Sequence, residues 1–381
     1  MKVAIVGTSY PYRGGLAAYN ERLAIEYQDQ NHDVKLYTFK LQYPSFLFPG
    51  ETQFSSEKKP NKLNILRCIN SINPFNWLVV GNKIRKCKPD LLIVKFWLPF
   101  MGPCFGTILR LVKRNKYTKI VCIVDNYIPH EKRKGDKLFT KYFSKPVDGF
   151  LAMSQSVLKD IELYQKEKPK ILSPHPLFDN FGPKVSKKEA CEFLGINHEF
   201  NYMLFFGLIR DYKGLDLLIK AFNNNRLRNE NIKLIIAGEY YGNREFYENL
   251  IKEYKLNDHI IQFNKFIPDS EVKYFFNACD LIVQPYKSAT QSGVTQIAYH
   301  FDKPMIVTNV GGLSELCPDG EVGYLTKVDV KDISNAITKF YNGTDVSKMI
   351  ENIRQEKSKY SWSVMVDSID DLMKKINEIR Q

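Results

Sequence analysis

Residues 205–218 read Phe205-Phe206-Gly207-Leu208-Ile209-Arg210-Asp211-Tyr212-Lys213-Gly214-Leu215-Asp216-Leu217-Leu218. An apolar run ends at a glycine, two cations follow, and an amphipathic helical period opens. A strand edge, a loop carrying Arg210 and Lys213, and the unpaired N–H groups of a helix start concentrate positive charge and donors where a diphosphate can lie. Taken alone, the stretch fits an ordinary βα loop with solvated cations equally well. Its reading therefore depends on what surrounds it.

Outward from it, short apolar runs alternate with helical periods, the pattern of a parallel sheet covered by helices. The strand candidates of the first half are Lys2–Gly7, Asp33–Phe39, Leu91–Phe96, Lys119–Val124 and Gly149–Met153. Those of the second half are Met203–Gly207, Lys233–Gly238, His259–Phe263, Leu281–Gln284, Met305–Thr308 and Gly323–Leu325. Two such sets predict an α/β chain of two doubly wound domains. Between them Lys168-Pro169-Lys170-Ile171-Leu172-Ser173-Pro174-His175-Pro176 reads as an extended linker, because its prolines disfavour helix. The domains are accordingly placed at 1–178 and 179–360. A last helix, about Ser363–Ile379, carries Val364, Val366, Ile369, Leu372, Met373, Ile376 and Ile379, so one face must dock elsewhere.

At 381 residues and 44% hydrophobic content the chain can bury two ordinary cores. Its seven cysteines form no C-x-x-C pair and read as buried thiols of a reducing compartment. Met1-Lys2 runs straight into a strand-like segment unlike a signal peptide, and the greasy segment Phe96 to Leu109 is broken by prolines and glycines. A cytoplasmic protein without a transmembrane helix is expected. The formal charge of +13 is uneven: residues 1–178 hold 29 Lys and Arg against 14 Asp and Glu, a net of +15. Clusters such as Lys83-Ile84-Arg85-Lys86-Cys87-Lys88, Lys113-Arg114-Asn115-Lys116 and Lys132-Arg133-Lys134 suit a phosphate-rich partner, an anionic membrane surface or a lipid pyrophosphate among them. They also fit a plain solvated face. Nucleic acid is disfavoured, since no zinc spacing, aromatic RNA-binding strand or helix-turn-helix accompanies the charge.

Several motifs follow one another in order. They are a strand ending at Gly7, Gly14-Gly15 heading the helix Leu16–Tyr27, and the turn Gln30-Asn31-His32-Asp33-Val34. Then come the Arg210/Lys213 loop, Gln284-Pro285-Tyr286, and Lys303-Pro304-Met305-Ile306-Val307-Thr308-Asn309-Val310-Gly311-Gly312-Leu313-Ser314-Glu315. Together they resemble the retaining nucleotide-sugar glycosyltransferases of family 4, over nearly the whole chain and most strongly in its C-terminal half. The resemblance implies the GT-B fold: two Rossmann-like domains facing each other across a cleft, with the final helix, about 361–381, crossing back to the first. It further implies an N-terminal acceptor domain and a C-terminal nucleotide-sugar domain.

Residue by residue, the resemblance implies that Arg210 and Lys213 bind the donor diphosphate and stabilise the charge that develops on it. It also implies that Gly14 and Gly15 let backbone approach the phosphates, that Gln291, Ser292, Gly293 and Val294 form a loop against phosphate and ribose, and that Glu315 orients the ribose or sugar. On the acceptor side the run Asp125-Asn126-Tyr127-Ile128-Pro129-His130-Glu131 follows a strand, where open α/β sheets put their ligands. Asp125 and His130 are its candidates to face the sugar. The aromatic loop Gln42–Gly50 reads either as an acceptor clamp or as a packed insertion.

One departure stands out. The family presents two glutamates eight positions apart before the Lys-Pro pair, whereas this chain has no acid from Leu281 through Phe301. Ala289 and Ile297 occupy the two places, or Ser288 and Gln296 after a one-residue slip. Gln291 or Gln296 is left to supply amide hydrogen bonds instead. The expected activity is retaining transfer of a hexose-type sugar from a nucleoside diphosphate to a hydroxyl of a glycan or lipid-linked acceptor in surface polysaccharide or lipopolysaccharide synthesis. It would need no metal or other cofactor, and would take place peripherally at the inner face of the membrane. Two rivals are a GT-B nucleotide-sugar epimerase and a degenerate protein that only binds nucleotide or glycan.

Overall fold

The computed structural model describes residues 1–44, 48, 50–128, 133–224, 227 and 231–380. The chain divides into two compact units, the first made of Met1–Pro176 with Tyr360–Gln381, the second of Leu177–Lys359.

The first unit is built on a seven-stranded sheet in the order β3-β2-β1-β4-β5-β6-β7, every neighbouring pair parallel. Its strands are β1 (Lys2–Val6), β2 (Asp33–Leu41), β3 (Ile65–Asn70), β4 (Leu91–Phe96), β5 (Lys119–Val124), β6 (Gly149–Ala152) and β7 (Lys170–Leu172). The central strands are sealed on both faces, as near-continuous Ile, Leu and Val runs require. Helix α1 (Gly15–Asp29) follows β1, α2 (Pro74–Cys87) follows β3, α3 (Gly102–Lys113) follows β4, α4 (Asp136–Ser144) follows β5, and α5 (Gln155–Tyr164) follows β6. The segment read as a linker is partly strand. Lys170-Ile171-Leu172 pairs with β6 as the sheet edge, and the unit ends at Pro176.

The C-terminal helix spans Trp362–Arg380 and belongs to this first unit. Its Met365, Val366, Ile369, Leu372 and Ile376 are buried, against α1 and the β5–β7 part of the sheet. Gly149 makes the approach possible, because a Cβ there would stand 2.9 Å from the Ile376 Cδ1 and 3.0 Å from a Leu372 methyl.

The second unit has a six-stranded parallel sheet ordered β10-β9-β8-β11-β12-β13. Its strands are β8 (Asn201–Phe206), β9 (Ile232–Ala237), β10 (Ile260–Phe263), β11 (Leu281–Gln284), β12 (Met305–Thr308) and β13 (Gly323–Thr326). Helices α6 (Lys187–Leu194), α7 (Leu215–Phe222), α8 (Arg244–Glu253), α9 (Asp269–Ala278), α10 (Gly293–His300), α11 (Val330–Gly343) and α12 (Val346–Glu356) cover it. Asp302 gathers Lys184, Arg354 and Lys357, so one carboxylate ties the segment that enters the unit to the one that leaves it.

All seven cysteines are free, but the expectation of buried thiols holds for only five. Cys87 is exposed near the end of α2 and Cys68 is half-buried on edge strand β3. Among the described residues no helix is long and apolar enough to cross a membrane.

Candidate functional site

In the second unit strand order reverses between β8 and β11, and the loops leaving their C-terminal ends meet there, where open α/β sheets bind ligands. β8 stops at Gly207, whose φ of 98° is the left-handed region that favours glycine. A Cβ on Gly207 would lie 3.0 Å from the Lys213 Nζ and 3.8 Å from a Val294 methyl. The missing side chain is thus what makes room for the ammonium beside the start of α10. Gly214, also at positive φ, brings the loop against the Pro285 carbonyl, where a Cβ would stand 2.0 Å from the oxygen.

Lys213 is 9% exposed. Its Nζ lies 5.5 Å from the centre of the Tyr286 ring, and among the described residues no carboxylate comes within ion-pair distance of it. Two acids are close in sequence, but both are engaged: Lys287 Nζ stands 2.8 Å from Asp211 Oδ1 and 3.0 Å from Asp216 Oδ1. Burial, with the Arg210 guanidinium adding to it, pulls the Lys213 pKa down to about 8. Arg210 is exposed, caps the single turn Asp211–Lys213, and lies 5.2 Å from the Tyr241 ring centre.

The loop from β11 into α10 is built on buried polar groups. The Ser292 hydroxyl donates to Gln284 Oε1 at 2.7 Å, Thr295 donates to the same oxygen at 3.2 Å, and the Tyr286 and Ser292 hydroxyls lie 3.3 Å apart. Ser292 is therefore a strut of the loop, its side chain spent on Gln284. Gly293 and Val294 open the helix, and Gly293 admits the Phe178 ring, 2.6 Å from where its Cβ would be. Gln296 is fully buried, and neither its Oε1 nor its Nε2 has a hydrogen-bond partner among the described residues. Gln291 is half-buried. Gly311, at φ 49°, packs against the Ala289 carbonyl and so sets the turn that leads to exposed Glu315.

The first unit holds a second polar group that sequence reading only half found. Asp125 follows β5 and is buried, with its Oδ1 3.1 Å from Nζ of Lys95, a fully buried lysine within β4. That ammonium also sits 3.2 Å from the ring centre of Tyr19, on α1. Tyr19 in turn meets His175 and Trp362 edge-on, at 5.3 and 5.1 Å between ring centres. His175 Nδ1 donates to the Pro176 carbonyl at 2.7 Å. Burial and the neighbouring Lys95 push its pKa down to about 3, so the imidazole is neutral. The signal for Lys95 was present: a lone lysine in Leu91-Leu92-Ile93-Val94-Lys95-Phe96, a strand with no solvent face. Gly14 caps α1 at φ 95° and Gly15 is exposed at its first position. His130 and Glu131 lie outside the described residues, as do Ser45, Phe46, Leu47 and Pro49 of the aromatic loop.

Residues 186–357 match the family described as Glycosyl transferases group 1. Over 380 residues the chain is 24% identical to an uncharacterized glycosyltransferase of Methanocaldococcus jannaschii, covering 99% of each. Over 193 residues, 48% of this chain and 50% of the relative, it is 26% identical to the lipopolysaccharide 1,2-N-acetylglucosaminetransferase of Salmonella typhimurium. Among solved structures, sucrose-phosphate synthase of Thermosynechococcus elongatus superposes with a TM-score of 0.75 at 15% identity, covering both chains entirely. The Anabaena protein HepE in complex with UDP gives 0.72 at 14% identity, covering 98% of this chain and 100% of that one. The two parallel-sheet units are thus those of the GT-B fold.

Proposed function

We propose that this chain, a GT-B glycosyltransferase whose second unit carries the group 1 domain, takes its sugar from a nucleoside diphosphate held at Arg210 and Lys213. The observation that carries the reading is Lys213. A buried ammonium with no carboxylate is costly, and its two sequence neighbours that might neutralise it are held by Lys287. A diphosphate supplies the missing anion, and Arg210 at the rim adds a forked donor. The N–H groups at the start of α10 and the side chain of Gln296 are the groups offered to ribose or sugar. UDP bound to the HepE neighbour supports a nucleotide-sugar donor.

Transfer with retention to a hydroxyl then needs no side-chain base. The bond from the anomeric carbon to the diphosphate oxygen breaks, the bond to the acceptor oxygen forms on the same face, and the acceptor proton passes to the departing phosphate. Arg210 and Lys213 would stabilise the charge growing on that phosphate. The acceptor is assigned to the first unit, near Asp125, and is read as a glycan or lipid-linked glycan, in keeping with the lipopolysaccharide relative. One observation favours a binding-only protein: the acid-free loop from Leu281 through Phe301. Incubation with a panel of nucleotide sugars tests both readings. Slow hydrolysis of one donor, lost in Lys213→Ala, is expected; tight nucleotide binding with no hydrolysis or transfer would leave binding alone, and no nucleotide binding would remove the donor site.

A further inference from the structure

The first unit presents, on one side of its sheet, a surface that neither core nor nucleotide accounts for. Helix α3 lies between α2 and α4. Its Ile108 and Leu111 meet Gly81 of α2, while Gly102 and Gly106 admit the Phe139 backbone and the Tyr142 ring of α4. At 100° per residue these two pairs fall on opposite sides of α3, so the three helices form one layer.

Both outer helices of this layer expose large apolar side chains. On α2, Phe75 is 80% and Val79 67% exposed, with Leu78 beside them; on α4, Leu138 is 67% exposed, next to Tyr142. On α2 the stripe continues through Lys83 and Lys86, and on α4 it is flanked by Lys137 and Lys141. Helices α2 and α3 contain no acidic residue and α4 contains one, Asp136. Single exposed hydrophobics are ordinary, but apolar side chains grouped with lysines on two helices of one layer are not.

We propose that the outer faces of α2 and α4 seat the first unit on an anionic lipid bilayer, Phe75, Val79 and Leu138 entering the headgroup boundary and Lys83, Lys86, Lys137 and Lys141 meeting lipid phosphates. Charge complementarity selects this occupant, since a second copy would oppose like charges across the face. The choice of a lipid-linked acceptor rests on the function proposed above; the docking itself does not, and is read by a separate assay.

The test is sedimentation of the full chain with vesicles of phosphatidylcholine alone and of equal parts phosphatidylcholine and phosphatidylglycerol. Binding to the mixed vesicles only, fading as salt rises, is expected. Phe75→Ser/Val79→Ser, Leu138→Ser and Lys137→Glu/Lys141→Glu should each weaken it on the order of tenfold or more. These positions are exposed, so thermal melts and nucleotide titrations should stay as in the parent, which separates failure here from failure of the donor reading. Equal binding to both vesicle types, none to either, or variants that bind like the parent would overturn the proposal. So would a lipid-free dimer that Leu138→Ser disperses, which would give the face to a second copy.

Discussion

Through Lys213 the proposed donor site is tied to stability and pH in one side chain. Lys213→Ala should weaken nucleoside diphosphate affinity by about 2–3 kcal/mol, as for a charge-assisted bond in a dry site. Arg210→Ala, at an exposed position, should cost less, about 1–1.5 kcal/mol; titration calorimetry on both variants decides the order. Lys213→Met should also raise the melting temperature of the unliganded protein, because a buried charge is replaced by an apolar chain. The folded unit releases this proton at about 8 against an ordinary 10.5. Between those values the unfolded chain holds more protons, so the unliganded unit gains stability as pH rises. A bound diphosphate favours the ammonium. Its affinity should be level below pH 8 and fall by up to about tenfold per unit above it, a profile that Lys213→Met should flatten. Gln296 offers a second test. Gln296→Leu removes two unpartnered polar atoms from a buried site, so stability should hold or rise while turnover falls; unchanged turnover would take Gln296 out of the donor site.

At the scale of elements, the β4–β5 pair carries a buried ion pair in a layer that is otherwise hydrocarbon. Lys95→Met should destabilise the first unit by about 3–5 kcal/mol by taking away the ammonium that neutralises the buried Asp125, and the double variant Lys95→Met/Asp125→Leu should recover most of that loss. Denaturant melts of the parent and the two variants make the comparison, and a double variant no better than the single one would mean that the pair is not what matters. Nucleotide affinity, proposed to reside in the other unit, should not change in any of them. The strands sealed on both faces, β1, β4 and β5 in the first unit and β8, β9, β11 and β12 in the second, were the most legible, because parallel burial writes a continuous apolar run; β2, β6, β10 and β13 were legible as well. The two missed strands are the edges of one sheet. β3 reads Ile-Leu-Arg-Cys-Ile-Asn with a solvent-facing arginine, and β7 is three half-buried residues between prolines. Neither writes a run as apolar as those of β10 and β13, the edges of the other sheet, which the sequence does mark. The candidate cations were likewise legible from charge and spacing. What sequence did not disclose was which acids they would meet: Lys287 claims Asp211 and Asp216, while Lys95, unremarked in its strand, claims Asp125.

For the whole molecule, two units with separate cores should unfold in two steps, a departure from two-state behaviour that calorimetry detects. A nucleoside diphosphate should raise only the transition of the second unit. A chain ending at Lys359 should lose the first transition or lower it sharply, since Val366, Ile369 and Leu372 no longer cover β5–β7, yet keep its nucleotide affinity; loss of that affinity would contradict the separation. The same helix has a consequence for biosynthesis. The first unit begins the chain but is completed by its last twenty or so residues, with the 183 residues of Leu177–Lys359 between. At about 5–20 residues per second the ribosome needs on the order of 10–40 s to make that interval. During it the nascent first unit waits with an apolar groove uncovered, while the later-made second unit already has every residue it needs. The usual order of folding, N-terminal domain first, is reversed here. Chaperones that bind exposed apolar surface should therefore hold ribosome-bound chains of this protein through the groove left by Trp362–Arg380, and release them only once that helix has emerged and docked.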